Sequence, residues 1–554
     1  MSQTTQTVQK NLQLRPLSSL AKVFPNRIHG RSCRNAVAAR GQEISFQVAY
    51  KEKLSGRYRQ REYEVRVISD LAEYAELFAV GNVPSFLPAF PDRNDSNYIS
   101  KEPGIFPDPL IPLRANTVEV ASEVWRSLWI SIKVPEDCPA GIHKIRIAFS
   151  GNEEGHVDFS LKVEPHTLPS QQLIFTQWFH CDCIADAHKV PVFSEAHWAL
   201  MKNYMELAVR HGINMILTPI LTPPLDTAIG GERPTVQLVD IEQTEDGYTF
   251  GFSRLERYIK MALDCGITYF EISHMFTQWG ATMAPKVVAG SWKKGKKIFG
   301  WHTDASGEDY AEFLSALVPG VIGTFEKMGI ARDRLFFHVS DEPGLKDIES
   351  YRRAYSIIKP LISGCRHIDA LSPLEFYKEG LVETPVVATN RIEPYLEEKV
   401  EPLWCYYCCS QCIDTSNRFF AMPSARTRMI GVQLYKYNME GFLHWGYNFY
   451  FSHHSIRSID PFGETDAGGA FPSGDAFSVY PFGDRAIPSL RLKVFANALE
   501  DMRLLTLLEA KIGRSATVSL LDKIAGAPIT FTQYPKDDSF FSELYLAVFD
   551  ELNK

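Results

Sequence analysis

The chain has 554 residues, of which 45% are hydrophobic and 22% are charged, a composition typical of folded globular proteins. This length exceeds that of one ordinary domain, so two or three domains are expected. The 58 basic and 66 acidic side chains give a net charge of −8 without any run of Lys and Arg. This balance excludes a nucleic acid or an anionic membrane surface as the expected main partner.

The N-terminal residues 1–20 lack the continuous apolar core of a signal peptide, and no apolar run reaches the length of a transmembrane helix. The ten cysteines are unevenly spaced, and a chain of this length does not need disulfides for stability. The sequence therefore predicts free thiols, no transmembrane segment and a cytoplasmic location.

Residues 1–168 show short runs in which apolar and polar residues alternate, separated by Pro, Gly and Asp. The clearest runs are 41–50, 63–71, 126–134 and 141–150. Alternation with a period of two is typical of half-buried strands. Several short strands without a long helical pattern predict an N-terminal β-sandwich domain.

From residue 169 to 515, apolar strand-like runs alternate with helical stretches. Eight such runs occur, at 173–179, 213–219, 269–276, 334–340, 366–372, 385–390, 403–408 and 441–447. The helical stretches between them include 195–212, 253–266, 309–329 and 345–359. This α/β alternation predicts a (β/α)8 TIM barrel, with catalytic groups at the C-terminal ends of its strands. A doubly wound sheet is the alternative that periodicity alone leaves open.

The last part of the chain begins with a strongly amphipathic stretch at 488–512. Leu492, Phe495, Leu499 and Met502 recur at helical spacing, which predicts a helix with one apolar stripe against the barrel. Residues 516–554 are expected to form a small C-terminal appendage.

Asp341 and Glu342 follow an apolar run directly, in the segment FFHVSDEPG (336–344). Adjacent strand residues face opposite sides, so both carboxylates can serve one site only where the strand breaks, as Pro343 indicates. Two ionised carboxylates this close repel, which raises the pKa of one of them. A proton-bearing Glu342 beside an ionised Asp341 suits acid-catalysed departure of a sugar oxygen. Capping of the helix expected near residue 345 is the structural alternative.

Aromatic side chains recur at or just after the predicted strand ends, namely Trp178, Trp279, Trp301, Trp404 and Trp445. Polar residues near the same ends are His180, Asp182, His274, Gln278, Tyr406 and Asn448. Sugar rings stack on aromatic side chains while nearby polar groups bind their hydroxyls, so this combination favours a carbohydrate site. Core packing is the alternative for each tryptophan taken singly, and a buried, hydrogen-bonded imidazole is the alternative for each histidine.

Two cysteine-rich segments raise the question of zinc, HCDC (180–183) and CYYCCSQC (405–412). The second contains the C-x2-C spacing twice. Residues 405–408 lie in an apolar strand pattern, however, where alternate residues face opposite sides and free cysteine behaves as a small hydrophobe. We therefore predict neither a metal nor another cofactor. Nucleophile-elbow, Walker and dinucleotide motifs are absent from the sequence.

Six segments, in this order, resemble glycoside hydrolase family 123: FPDPLIP (106–112), WRSLWISIKVPEDCPAG (125–141), LTPPLDT (221–227), HVSDEP (338–343), LWCYY (403–407) and GFLHWGYNFY (441–450). The most specific parts are HVSDEP and GFLHWGYN. The resemblance implies a β-sandwich followed by a (β/α)8 barrel. It also implies β-N-acetylgalactosaminidase activity by substrate assistance, with an adjacent Asp–Glu pair.

The same resemblance implies separate roles for the two acids. Glu342 would protonate the leaving oxygen and later activate water, while Asp341 would hold the substrate's 2-acetamido N–H. The acetamido carbonyl would then attack the anomeric carbon, so no second carboxylate is needed on the opposite face of the sugar. Tyr406 would donate a hydrogen bond to the acetamido oxygen, and Trp445 would form the floor of the sugar pocket.

The sequence as a whole predicts a retaining exo-glycoside hydrolase that releases terminal β-linked N-acetylgalactosamine (GalNAc), in preference to N-acetylglucosamine (GlcNAc). Its substrate would be an oligosaccharide or glycoconjugate, and the absence of an export signal favours imported oligosaccharides over polymers. One alternative is a glycosidase of different sugar specificity with an ordinary two-carboxylate mechanism. Another is a non-catalytic glycan-binding protein. The oligomeric state is not predicted.

Overall fold

The computed structural model describes residues 11–53, 61–290 and 295–554. Of the N-terminal segment for which no signal peptide is predicted, residues 1–10 lie outside these ranges. Within the described ranges, no helix combines the length and the apolar character needed to cross a membrane.

Two five-stranded sheets form the N-terminal region. The first contains Leu12–Ser18, Glu43–Glu52, Ala75–Ser85, Gly104–Pro112 and Arg126–Lys133. The second contains Asn35–Arg40, Arg61–Ile68, Thr117–Val120, Gly141–Ser150 and Gly155–Thr167. Alternate residues of both sheets enter one hydrophobic core, in which Phe46 of the first sheet stacks on Phe159 of the second at 4.0 Å. This shared core explains the period-two pattern of the sequence.

Eight parallel strands then close into a barrel. They are Ile174–Gln177, Met215–Thr218, Tyr269–Ile272, Leu335–Phe337, Arg366–Ala370, Thr384–Ala388, Trp404–Tyr406 and Gly441–His444. The first strand pairs with the eighth, for example Ile174 with Gly441. The predicted eight-stranded barrel is therefore confirmed, and the doubly wound alternative is wrong. Most strand residues are buried because helices cover the outside of the barrel.

The helices that follow or flank these strands are Cys181–Ala187, Glu195–Arg210, Ser253–Cys265, Glu308–Lys327, Ile348–Ile358, Glu375–Lys378, Glu393–Glu397 and Ser424–Lys436. Local sequence sets several of their ends. Ser194 caps Glu195–Arg210 by accepting a hydrogen bond from the amide of His197. Ser253–Cys265 ends where Gly266 adopts φ +102°, a conformation that side chains disfavour.

Among the residues that the structure describes, four two-stranded sheets lie outside the barrel and the N-terminal sheets. They are Lys22–Val23 with Ile28–His29, Asp240–Thr244 with Gly247–Gly251, Val287–Ala289 with Lys296–Phe299, and Val479–Phe482 with Arg485–Pro488. The second and third belong to the long connections after the second and third barrel strands.

The helix Leu490–Ile512 is buried on two sides rather than along one stripe. Phe495 stacks on Phe175 of the first barrel strand at 4.7 Å, as the predicted stripe requires. On another side, Leu504 and Leu508 enter a second core that includes helices Arg514–Ala525 and Ser539–Asn553. The C-terminal segment thus covers an apolar face that the single-stripe prediction missed. The domain boundaries at residues 168 and 515 stay a prediction.

Candidate active site

A cleft of about 220 Å³ opens at the C-terminal ends of the barrel strands, where barrel enzymes carry their catalytic groups. The residues that line it are Trp178, Leu225, Asp226, Gln278, Trp279, Asp341, Glu342, Ala370, Tyr406, Cys408, Cys409, Leu443, Trp445, His453 and Phe471. The cleft is therefore mostly apolar, with a small set of polar and acidic groups facing into it.

Asp341 and Glu342 lie side by side on this cleft because the chain turns sharply after the fourth strand. Glu342 adopts φ +47°, a left-handed conformation that is uncommon for a residue with a side chain. Its amide donates to the carbonyl of Ala370 at 2.9 Å, which ties the turn to the end of the fifth strand. The carbonyl of Asp341 accepts from the amide of Trp279 at 2.9 Å. The left-handed residue interrupts the alternation of a strand, so both carboxylates reach one cleft.

The two acids have different surroundings. Asp341 is half-buried, whereas Glu342 is exposed and accepts a hydrogen bond from the hydroxyl of Tyr406 at 2.5 Å. Burial, reinforced by the negative charge of Glu342, raises the pKa of Asp341 well above its usual range. The sequence analysis predicted that Glu342 carries the proton. In the free protein, however, the raised pKa belongs to Asp341, the other member of the pair.

A buried charge network underlies this pair. His338, directly after the fourth strand, lies between Glu271 and Asp369, with its Nε2 2.6 Å from Glu271 and its Nδ1 3.1 Å from Asp369. Burial lowers the pKa of His338, but the hydrogen bonds and charges of the two carboxylates outweigh this and raise it to about 9. Asp369 also accepts from the amides of Val339 and Ser340 at 3.1 and 3.3 Å. The network therefore fixes the backbone immediately before the acid pair.

Glu271 and Asp369 were not singled out from the sequence, although a signal was present. Both are ionisable residues inside apolar strand patterns, YFEI (269–272) and RHIDA (366–370). A charge in a buried strand requires a partner, so such residues indicate a buried network.

Three of the five predicted tryptophans line the cleft. Trp178 is buried and donates from Nε1 to Glu271 at 2.7 Å. Trp445 donates from Nε1 to Asp475 at 3.0 Å, which fixes the plane of its ring. Trp279 is 41% exposed and has φ +61°, so its side chain stands at the rim.

Trp301 and Trp404 do not line the cleft, which corrects the sequence prediction. Trp404 is fully buried and donates to Glu440, the residue before the eighth strand. It is the first residue of its three-residue strand and so lies towards the opposite end of the barrel from Tyr406. Trp301 donates to the carbonyl of Gly231 at 3.0 Å and lines a separate small pocket.

His180, Asp182, His274 and Asn448 are likewise buried behind the cleft walls rather than exposed in the cleft. Asn448 donates to the carbonyl of His180 and accepts from its amide, at 3.0 and 2.9 Å. Asp182 accepts two hydrogen bonds from the guanidinium of Arg233, at 2.8 and 2.7 Å. His274 stacks on His338 with ring centroids 4.3 Å apart. These residues shape the walls, and the buried-imidazole alternative fits His180.

The cysteines of both cysteine-rich segments are free thiols. Cys408 and Cys409 line the cleft, and the other cysteines of the two segments are buried. Across residues 11–53, 61–290 and 295–554, no cysteine belongs to a group of three side chains close enough to share a metal ion. Two such groups consist of other residues: Asp226, His453 and His454 at the rim, and His274, His338 and Asp369 beneath the cleft.

Asp226, His453 and Phe471 were also missed from the sequence. They come from the loops after the second and eighth strands, which are more than 200 positions apart in the chain and meet in the fold. Asp226 belongs to the quoted segment LTPPLDT, but a single acid in a loop has no periodicity that would distinguish it.

The match to a family model decides the family. Residues 178–508, more than half of the chain, match the catalytic domain of glycoside hydrolase 123. The chain belongs to glycoside hydrolase family 123. The resemblance seen in the sequence is thereby confirmed, and a glycan or glycoconjugate is the substrate class of this glycosidase.

The fold agrees with the family. A family 123 glycoside hydrolase from Clostridium perfringens, solved in a study of glycolipid glycan hydrolysis, is similar with a TM-score of 0.74 and 13% identity. The match covers 98% of each chain and at this identity shows the fold alone. A family 5 xyloglucanase from Bacteroides ovatus matches over 84% of this chain and 98% of its own, with 10% identity and a TM-score of 0.30, too low to support an argument. None of the curated proteins matches the sequence.

Proposed function

We propose that this family 123 protein is a retaining exo-β-N-acetylgalactosaminidase that uses the 2-acetamido group of its substrate as the nucleophile. The observation that carries the proposal is the placement of Asp341 and Glu342, consecutive residues that both line one cleft. An ordinary retaining glycosidase needs two carboxyls about 5 Å apart on opposite faces of the sugar. Consecutive acids on one wall suit a mechanism in which the sugar supplies its own nucleophile.

In this mechanism Asp341 accepts a hydrogen bond from the acetamido N–H and orients the acetamido oxygen towards the anomeric carbon. Glu342 protonates the departing oxygen, and an oxazolinium ion forms on the sugar. Glu342 then takes a proton from water as the water opens that ring, so the configuration at the anomeric carbon is retained.

Substrate binding supplies a reason for the proton to move within the pair. In the free protein the raised pKa of Asp341 favours its neutral form. A hydrogen bond from the acetamido N–H favours the ionised form of Asp341, because it stabilises the negative charge. The sugar also excludes water from the exposed Glu342 and so disfavours its charge. Both effects favour transfer of the proton from Asp341 to Glu342, the residue that must donate it to the departing oxygen.

Tyr406 has two uses in this scheme. In the free protein its hydroxyl donates to Oε1 of Glu342. When the acetamido oxygen enters the cleft, the same hydroxyl turns to it and leaves Glu342 free to hold the proton. Trp445 and Trp178 then contact the apolar face of the ring, which suits a cleft that takes one terminal sugar.

The test compares hydrolysis of aryl β-GalNAc and aryl β-GlcNAc by wild type and Glu342→Gln, with the thiazoline of each sugar as inhibitor. General acid catalysis contributes roughly 10²–10⁴-fold, so we expect kcat on the GalNAc glycoside to fall by at least 10²-fold. Glu349→Gln, at an exposed position on the next helix, is the matched control and should keep full activity. Unchanged turnover in Glu342→Gln would refute the assignment.

Two further outcomes separate the alternatives. An ordinary two-carboxylate glycosidase would allow azide to rescue an Asp341 variant, or a variant of Asp226, the other carboxylate on the cleft, with formation of a glycosyl azide. A non-catalytic glycan-binding protein would bind glycans undiminished in the Asp341→Asn/Glu342→Gln double variant and release no product from any glycoside.

A further inference from the structure

Asp226 and His453 face the cleft from loops after the second and eighth strands, away from the strand that carries the acid pair. Gln278 also lines the cleft, but its amide is engaged with the backbone. Its Oε1 accepts from the amide of Asp226 at 2.7 Å, and its Nε2 donates to the carbonyl of Thr227 at 3.1 Å. Gln278 therefore holds the loop in place, and Asp226 and His453 are left to meet a ligand.

The loop that carries Asp226 is fixed in an unfavourable conformation. Asp226 has φ +39°, and His454 on the facing loop has φ +59°. Cross-loop hydrogen bonds hold both: the amide of His454 donates to Oδ2 of Asp226 at 3.0 Å, and the hydroxyl of Ser455 donates to the carbonyl of Asp226 at 2.6 Å. Backbone strain of this kind persists only where surrounding contacts enforce it, and it concentrates at ligand sites.

The carboxylate of Asp226 is only partly satisfied by these contacts. Oδ2 accepts the amide of His454, while Oδ1 lies 3.8 Å from Nε2 of His453, and no protein donor reaches it within the described ranges. A separation of 3.8 Å exceeds the limit of a direct hydrogen bond. The side chain of Asp226 is only 13% exposed, so once a ligand displaces water from the cleft, an unpaired Oδ1 is costly and favours a ligand that supplies a donor.

The imidazole of His453 is held in position by its neighbours. Its ring lies 3.7 Å from that of His454 and 5.1 Å from the edge-on ring of Phe471. An oxygen atom that donates to Oδ1 at about 2.7 Å and accepts from Nε2–H at about 2.9 Å spans the gap between the two side chains. A hydroxyl group both donates and accepts and is therefore the ligand group that this arrangement fits.

We propose that Asp226 and His453 form a hydroxyl clamp that holds the 4-hydroxyl of the terminal sugar and thereby selects GalNAc over GlcNAc. The proposal rests on the function proposed above, in which Glu342 lies at the anomeric carbon and Asp341 at the acetamido group on C2. The far edge of the ring then points away from the acid pair, towards the loops of Asp226 and His453. GalNAc and GlcNAc differ only in the direction of the 4-hydroxyl. A clamp fixed to bind the 4-hydroxyl of GalNAc therefore cannot bind that of GlcNAc, and the carboxylate of Asp226 stays unpaired when GlcNAc is bound.

The experiment measures kcat/KM of aryl β-GalNAc, its 4-deoxy and 6-deoxy analogues, and aryl β-GlcNAc, for wild type, Asp226→Asn and His453→Phe. A hydrogen bond to a charged group corresponds to roughly 10- to 100-fold, so the wild type should discriminate against the 4-deoxy sugar by about that factor. In both variants this ratio should fall below about threefold, while the 6-deoxy ratio stays unchanged. Asp264→Asn, on an exposed helix, is the isosteric control and should behave as wild type.

The outcomes distinguish this clamp from the function on which it rests. A wild type that does not hydrolyse GalNAc glycosides overturns both proposals. An enzyme that needs Glu342 but whose Asp226→Asn variant still discriminates against the 4-deoxy sugar overturns the clamp alone. If the variants instead lose discrimination against the 6-deoxy sugar, Asp226 and His453 bind the 6-hydroxyl, and the proposed clamp on the 4-hydroxyl is also overturned. Selectivity abolished by a chelator in wild type would show a cation held by Asp226, His453 and His454, and would equally refute a direct hydroxyl clamp.

Discussion

Replacement of His338 by Gln tests the charge network beneath the acid pair. The side chains of His338, Glu271 and Asp369 are fully buried, and His338 supplies the positive charge between the two carboxylates. Its pKa rises from 6.5 to about 9 in the folded protein. At about 1.4 kcal/mol for each pH unit, this corresponds to about 3 kcal/mol of free energy of unfolding.

The pH window follows from the direction of the shift. Because the folded pKa lies above the unfolded value, the stabilisation is fully present below pH 6.5 and is lost as the pH rises through about 9. The free energy of unfolding of His338→Gln should therefore lie about 3 kcal/mol further below that of wild type at pH 6 than at pH 10.

The measurement is urea unfolding of wild type and variant at pH 6, 8 and 10, followed by tryptophan fluorescence. His156→Gln serves as the control, because His156 is half-exposed and lies 3.6 Å from Asp158 in a solvent-accessible pair. That variant should stay within about 0.5 kcal/mol of wild type at each pH. A gap between wild type and His338→Gln that does not change from pH 6 to pH 10 would refute a cationic His338 in the folded protein.

Two further predictions concern close packing and the sugar floor. In helix Ser424–Lys436, a Cβ added at Gly431 would lie 1.9 Å from the backbone oxygen of Ala498, so Gly431→Ala should lower the free energy of unfolding by about 1–3 kcal/mol. Gly323, in the middle of helix Glu308–Lys327, has no atom within 4 Å of an added Cβ, so Gly323→Ala should raise the free energy of unfolding by about 0.5–1 kcal/mol. If urea titrations give the same change in the free energy of unfolding for both variants, the packing argument is contradicted. At the sugar floor, Asp475→Leu removes the acceptor of Trp445 Nε1 and should lower kcat/KM about tenfold, whereas Asp475→Asn keeps an oxygen there and should retain activity. Equal losses of kcat/KM in Asp475→Leu and Asp475→Asn would show that activity does not depend on the hydrogen bond to Trp445.

The sequence by itself determined the alternating strands and helices and the position of the acid pair, whereas closure into a barrel rather than a doubly wound sheet was decided by the tertiary structure. The eight apolar runs and the helices between them are local patterns, so strand Tyr269–Ile272 and helix Ser253–Cys265 were predicted to within a few residues. Asp341 and Glu342 were identifiable because they follow an apolar run of the sequence directly and Pro343 comes immediately after them. Such features depend only on neighbours in the chain, which is why periodicity reveals them.

Which side chains face the cleft was decided by the tertiary structure alone. Trp404 and Trp445 are both tryptophans of predicted strand ends, yet Trp404 is fully buried and bonded to Glu440, whereas Trp445 lines the cleft. Whether a rim residue faces the cleft or the core depends on how many residues each strand contributes before it turns, and periodicity leaves such boundaries uncertain by a residue or two. The meeting of Asp226 with His453 depends on barrel closure, which brings together loops remote in the chain. Contacts of that range are made by the folded shape, so no local pattern encodes them.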